Sequence, residues 1–132
     1  VNPKDKVGSR KVGLNVVPPS VILAVSNALA EGAIKYNPYN WREDGVVGSE
    51  YYNACFRHLS QYWEGEDIDD KSNTHHIVKA IATLIVWYDS IQQGNAIDDR
   101  PKPHINQNWI EDLNTRKDWI VDNVKRSDAN AD

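Results

Sequence analysis

A chain of 132 residues with 40% apolar content has material for one compact domain and hardly enough for two. Its formal charge of -4 argues against nonspecific binding to a nucleic-acid backbone, and its single cysteine, Cys55, rules out an intrachain disulfide or a cysteine-rich zinc cluster and fits a reducing, cytoplasmic setting. No long apolar span and no basic leader followed by an apolar stretch is present, which argues against membrane insertion and secretion; the chain has no Met and starts at Val1, as expected if an initiator has been removed.

Residues 1–16 form a basic arm, with Lys4, Lys6, Arg10 and Lys11 around Gly8 and Gly13. Pro18-Pro19-Ser20 then opens a helix, since proline is tolerated where a first-turn N–H has no partner. Val21, Ile22, Val25, Ala28, Leu29 and Gly32 recur at three- and four-residue spacing and predict one buried stripe as far as about Tyr36. Asn37-Pro38-Tyr39-Asn40 ends that helix, and the stretch from Trp41 to Gly48 reads as a loop. Ser49 is the expected N-cap of a second helix, whose face carries Tyr51, Ala54, Cys55, His58, Leu59 and Tyr62 and whose stop is Gly65.

An acidic connection follows, Glu64-Gly65-Glu66-Asp67-Ile68-Asp69-Asp70. So many carboxylates in so short a run repel one another unless a cation or solvent separates them. Ser72, Asn73 and Thr74 are candidate caps for a third helix, about His75 to Gln93, whose middle from Ile77 to Tyr88 is apolar nearly all round and predicts a bundle centre or an oligomer interface. Residues 95–132 comprise a polar, two-proline linker, a helical segment from about Asn106 to Val124, and a frayed polar tail from Lys125. With no alternation long enough for a sheet, the expected class is all-α, a bundle of about four helices, with the helical core in residues 17–94.

The polar residues that interrupt these apolar patterns carry the chemistry. Arg57, Gln61 and Glu64 share one stripe of the second helix, either a solvated face or a phosphate-facing one. His76, Lys79 and Thr83 share one stripe of the third, where a lysine needs a partner or a route to water. His75 points elsewhere and reads as a cap or surface residue. A calcium loop starting at Asp67 fails, because Ser72 and Val78 stand where glycine and glutamate are required. No His-Glu-x-x-His string and no His-Asp dipeptide is present, and the four histidines lack i, i+4 pairing, which weighs against a zinc site. Two overlapping Glu-x-x-Asp pairs remain, Glu64 with Asp67 and Glu66 with Asp69, hard oxygen donors suited to Mg2+ or Mn2+.

Glu31-Gly32-Ala33-Ile34-Lys35-Tyr36 with Asn40-Trp41, then Arg57-His58-Leu59, then Gly65-Glu66 with Asp69, Ser72 and His76, resemble in order the phage dATP/dGTP diphosphohydrolase family, which is grouped with the MazG-like all-α nucleoside triphosphate pyrophosphohydrolases. The resemblance runs from about Lys11 to Ile91. It implies an oligomeric helical bundle, a dimer or tetramer, acting in the host cytoplasm if phage-encoded. The implied reaction converts a deoxynucleoside triphosphate, dGTP with dATP or GTP as further options, to the monophosphate and pyrophosphate with Mg2+ or Mn2+, two or more ions being possible. Members of the MazZ type, which this sequence resembles, feed dGMP into synthesis of 2-aminoadenine for a modified genome. On that basis Glu66 and Asp69 are the expected leading ligands and catalytic carboxylates, Glu64 and Asp67 the candidates for a second ion or a general base, and Glu31 a further ligand. Lys35, Arg57 and Lys79 would hold phosphate oxygens, with His58 and His76 beside them, and Tyr36, Trp41 and Asn40 would stack on the base and read its edge. This chain departs from the MazG pattern in having no Glu-x-x-Glu, and from the diphosphohydrolase subgroup in having Asn73 for a common glycine and Lys79 for a second histidine. A non-catalytic helical oligomerisation or nucleotide-binding protein is the alternative reading.

Overall fold

The computed structural model describes residues 1–124, so the tail expected from Lys125 lies outside the described residues. The chain divides into two compact units, residues 1–100 and a second beginning at Pro101. In the first unit, α1 (Pro3–Gly8) lies within the basic arm and is opened by Asn2, whose side chain accepts the Lys4 N–H. The long helices are α2 (Pro19–Tyr36), α4 (Gly48–Trp63) and α5 (His76–Gln92), with a single turn, α3 (Trp41–Asp44), between the first two. In the second unit α6 spans Trp109–Asn123, preceded by a turn in which Asn106 donates its side-chain amide to Asp112. The mainly helical class expected from periodicity holds, with two short helices beside four long ones among the described residues.

Helix α5 is the central element of the first unit, packing along α4 and against α2. The core between them is thin: Val25, Val46, Cys55, Ala80 and Ala82 are its buried apolar residues. Small alanines let α5 approach α4 closely, and the Cys55 thiol, its pKa raised by burial, points at the Ala80 carbonyl 3.8 Å away. The stripe expected on α2 is only partly buried. Val25 is enclosed, Ala28, Leu29 and Gly32 are half-buried, and Val21 and Ile22 are exposed. Large apolar side chains of α4 and α5, among them Tyr52, Phe56, Trp63, Leu84 and Tyr88, stand exposed.

Two short strand pairs correct the expectation of no sheet. Strands β1 (Val46–Val47) and β4 (Ala96–Ile97) pair in parallel, while β2 (Ile68–Asp69) and β3 (Thr74–His75) form an antiparallel hairpin with Ile68 opposite His75 and Asp69 opposite Thr74. Two-residue strands leave no alternation for a sequence to display.

Helix ends also differ from expectation, for local reasons. Ser49 is not the cap of α4: the helix starts at Gly48, and the Ser49 N–H and hydroxyl both donate to the Asp99 carboxylate. Ser72, Asn73 and Thr74 give way to His75, whose Nδ1 accepts the Ile77 N–H at 3.0 Å. Asn73 instead turns the hairpin at φ 53°, a left-handed conformation that asparagine tolerates.

Candidate metal centre and adjoining cleft

Asp69 is delivered by the hairpin that the acidic run folds into. Its carboxylate accepts the Lys71 N–H at 3.0 Å, and the His76 N–H donates to the Asp67 carbonyl at 2.9 Å, so the hairpin is fastened to the first turn of α5. Pairing Ile68 with His75 then brings Asp69 near His58, in the second half of α4, and His76, which begins α5. His58, Asp69 and His76 each present one donor atom, and these lie within 4.8 Å of one another. Nδ1 of His58 and Nδ1 of His76 are 2.9 Å apart, with the rings tilted by 43°.

His76 is fully buried, and its Nε2 has no hydrogen-bond partner. The nearest carboxylate is that of Glu66, at 3.5 Å, an ion-pair distance too long for a hydrogen bond. The Glu66 carboxylate also receives the Gln61 amide at 3.4 Å. His58 is half-buried, and its pKa is pushed below the usual imidazole value, first by that burial and next by the neighbouring His76. Both effects favour the neutral form, in which imidazole donates a lone pair.

One turn along α5 from His76, Lys79 faces a cleft of about 450 Å³ whose walls include Tyr36, Asn40, Trp41, Tyr51 and Thr83. The Thr83 hydroxyl donates back to the Lys79 carbonyl at 2.8 Å. Glu31 of α2 senses the same neighbourhood. Its pKa is lowered chiefly by a 2.8 Å hydrogen bond from Lys35 and further by Lys79, and is nudged upward by Asp69. The indole N–H of Trp41 donates to Asp89 at 2.7 Å, and the Arg42 guanidinium holds the same carboxylate through both oxygens at 2.8 and 2.9 Å. These two donors pull the Asp89 pKa down to about 2. Trp41 thus forms a wall of the cleft while its polar edge is committed to the scaffold. A second cleft of similar volume, about 430 Å³, is lined by Gly48, Trp87, Ile91, Asp98 and Arg100. Gly48 in its lining lies ten residues, or about 15 Å, from His58 along α4, and among the described residues no group of three metal-donor side chains lies there.

The residues marked by sequence therefore separate into groups. His58, Asp69 and His76 converge, with Glu66 at their edge; Tyr36, Asn40, Trp41 and Lys79 share the cleft. Glu31 and Lys35 pair with each other on α2. Glu64 and Asp67 are exposed, Glu64 ending α4 beside Phe56 and Trp63, and Asp67 contributing its carbonyl to the hairpin. Arg57 is exposed on α4. Histidine spacing weighed against a nitrogen-rich site; the structure assembles one across two helices and a hairpin, a pairing that i, i+4 counting does not register. The available signal was His58 on the otherwise apolar face of α4.

Comparison with known proteins bears on the family of the chain. Residues 1–100 match the sequence model described as "dATP/dGTP diphosphohydrolase, N-terminal". A protein named dATP/dGTP diphosphohydrolase from Salmonella phage PMBT28 is 27% identical over 95 residues, which cover 72% of this chain and 32% of the relative. The matched region thus amounts to about a third of that relative's length. No solved structure matches.

Proposed function

The chain belongs to the dATP/dGTP diphosphohydrolase family, through that family's N-terminal region, and on this premise we propose that it acts on a deoxynucleoside triphosphate, releasing the monophosphate and pyrophosphate. One observation carries the reading: Lys79, which lines a cleft with aromatic and amide walls, stands one turn along α5 from His76 of the cluster of two imidazoles and a carboxylate, and its charge is felt at His58. A nucleoside needs such a cleft, and a polyphosphate needs such a cluster.

The reaction requires water to attack the α-phosphorus while negative charge grows on the bridging oxygen and the departing pyrophosphate. Lys79, half-buried at the lip of the cleft, would offset charge on a non-bridging oxygen; Lys35 and Arg57, exposed on α2 and α4, would meet the outer phosphates. Tyr36 and Trp41 would flank the base, with the Asn40 amide free to read its edge. Asp69, His58 and His76, with Glu66 outside them, would hold a divalent ion such as Mn2+, and Glu31, Glu64 and Asp67 would serve further ions, Mg2+ among them. Such an ion supplies charge neutralisation and a more acidic bound water. A cytoplasmic setting in an infected host, supply of dGMP for 2-aminoadenine synthesis, and a MazG-like homo-oligomer follow from the same reading.

The exposed apolar side chains of α4 and α5, and a match confined to about a third of a relative, favour one further reading: a nucleotide-binding or oligomerisation unit that works with another region. Product analysis separates the two. Incubation with dGTP or dATP and Mn2+ or Mg2+ is expected to yield monophosphate and pyrophosphate in equal amounts. Nucleotide binding without turnover would support the second reading, and stepwise release of inorganic phosphate would contradict both.

A further inference from the structure

We propose that His58, His76 and Asp69 form a resident centre for a first-row transition ion of the Mn2+, Fe2+, Co2+, Ni2+ or Zn2+ class, selective against Mg2+, with Glu66 orienting the His76 ring from outside. The inference deepens the divalent-ion part of the proposed function and rests on that reading only for the ion's role in hydrolysis, not for its binding.

The donor set is the first argument. Two imidazole nitrogens and one carboxylate suit borderline transition ions, whereas Mg2+ takes oxygen donors and keeps much of its water. Distances are the second. Donors about 2.1 Å from one ion lie at most about 4.2 Å apart, so the 2.9 Å between the two Nδ1 atoms fits as it stands, and the full set, within 4.8 Å, needs a closing movement of only about half an ångström.

Burial is the third argument. His76 is wholly enclosed, and its second nitrogen, Nε2, lacks a hydrogen bond but points toward Glu66 at 3.5 Å. A ligating histidine commonly offers its other N–H to an outer carboxylate, which fixes the tautomer and ring orientation. Nδ1 toward the ion and Nε2 toward Glu66 is that arrangement. It accounts for a buried imidazole whose two nitrogens face a histidine and an acid. Three protein donors leave coordination positions open for water or a phosphate oxygen, and Mg2+ would then arrive with the triphosphate rather than reside in the protein.

The test uses the full chain, stripped with chelator and titrated with Co2+ at neutral pH without nucleotide. Expected are one Co2+ per chain, a visible ligand-field band, displacement by Zn2+, and retention against an approximately 100-fold excess of Mg2+. Asp69→Asn and His58→Gln are expected to weaken binding at least about tenfold, and Glu66→Gln by about 10- to 100-fold. Asp70→Asn, an exposed acid of the same run, should leave it unchanged. Because His76 is buried, its replacement is read only alongside a far-UV spectrum; the half-buried His58 and Asp69 carry the test. No band, equal loss in Asp70→Asn, or displacement by Mg2+ at equal concentration would overturn the inference. Turnover of dGTP with Mg2+ alone, in a chain that fails to bind Co2+, would overturn this centre and leave the proposed activity standing; Co2+ binding without turnover would do the reverse.

Discussion

His58 and His76, eighteen residues apart, bring their Nδ1 atoms to 2.9 Å across the α4–α5 interface. The approach depends on the short hairpin between the helices, which reverses the chain and lays the first turn of α5 against the last turns of α4. Replacing His76 by alanine would empty a fully enclosed site and strip His58 of its neighbour. We expect a loss of roughly 1–3 kcal/mol of stability from unmade polar contacts and lost packing. Urea unfolding at unchanged m-value measures it, and a midpoint equal to wild type would contradict it.

Lys79 is expected to act on binding rather than folding. Lys79→Gln removes the cation at the cleft while keeping a polar side chain of moderate length there, so KM for dGTP should rise about tenfold. Dissociation of the corresponding monophosphate should change much less. A uniform loss of affinity for nucleoside, monophosphate and triphosphate would place Lys79 outside the phosphate path.

Asp89 links α5 to the Trp41 turn, and its ionisation gives a pH signature. Its folded pKa of about 2 lies below the ordinary carboxylate value of 3.8, because Arg42 and Trp41 hold the charged form. A carboxyl depressed on folding adds stability above its unfolded pKa and loses it as pH falls through the folded one. The stability difference between wild type and Asp89→Asn should therefore stay constant from pH 7 to about 5 and shrink between about pH 4 and 2. A difference that grows on acidification would contradict the assignment.

Gly45 shows where backbone geometry limits the sequence. At φ 73° it lies against the Asn95 carbonyl oxygen, into which a Cβ would be driven. Gly45→Ala should lower stability by about 1–3 kcal/mol, while Gly8→Ala, with open space around it, should be neutral or slightly stabilising. Differential scanning calorimetry of both variants checks the contrast.

Much of this was legible in the residues before the fold was known. Apolar periodicity marked α2, α4 and α5, and the tripartite string from Glu31 to His76 marked the family. Hidden were the contacts made by residues that look like connectors. Asn95 donates its amide to the Trp41 and Arg42 carbonyls at 2.8 and 2.7 Å, and Asp99 holds Ser49, yet both sit in a stretch that reads as linker. The acidic run was legible as a charge problem but not as a hairpin, because strands of two residues have no periodicity. Its role as a group of ligands followed from counting neighbours along the chain. In space Asp69 turns inward to the histidines, while Glu64 and Asp67 stay in solvent.

Hydrolysis of dGTP in water enriched in 18O, with Mn2+ or Mg2+ and followed by mass spectrometry, tests the central claim most directly. Attack at the α-phosphorus predicts one labelled oxygen in dGMP and unlabelled pyrophosphate from the intact chain. Label in released pyrophosphate or phosphate, or absence of both products, would contradict it.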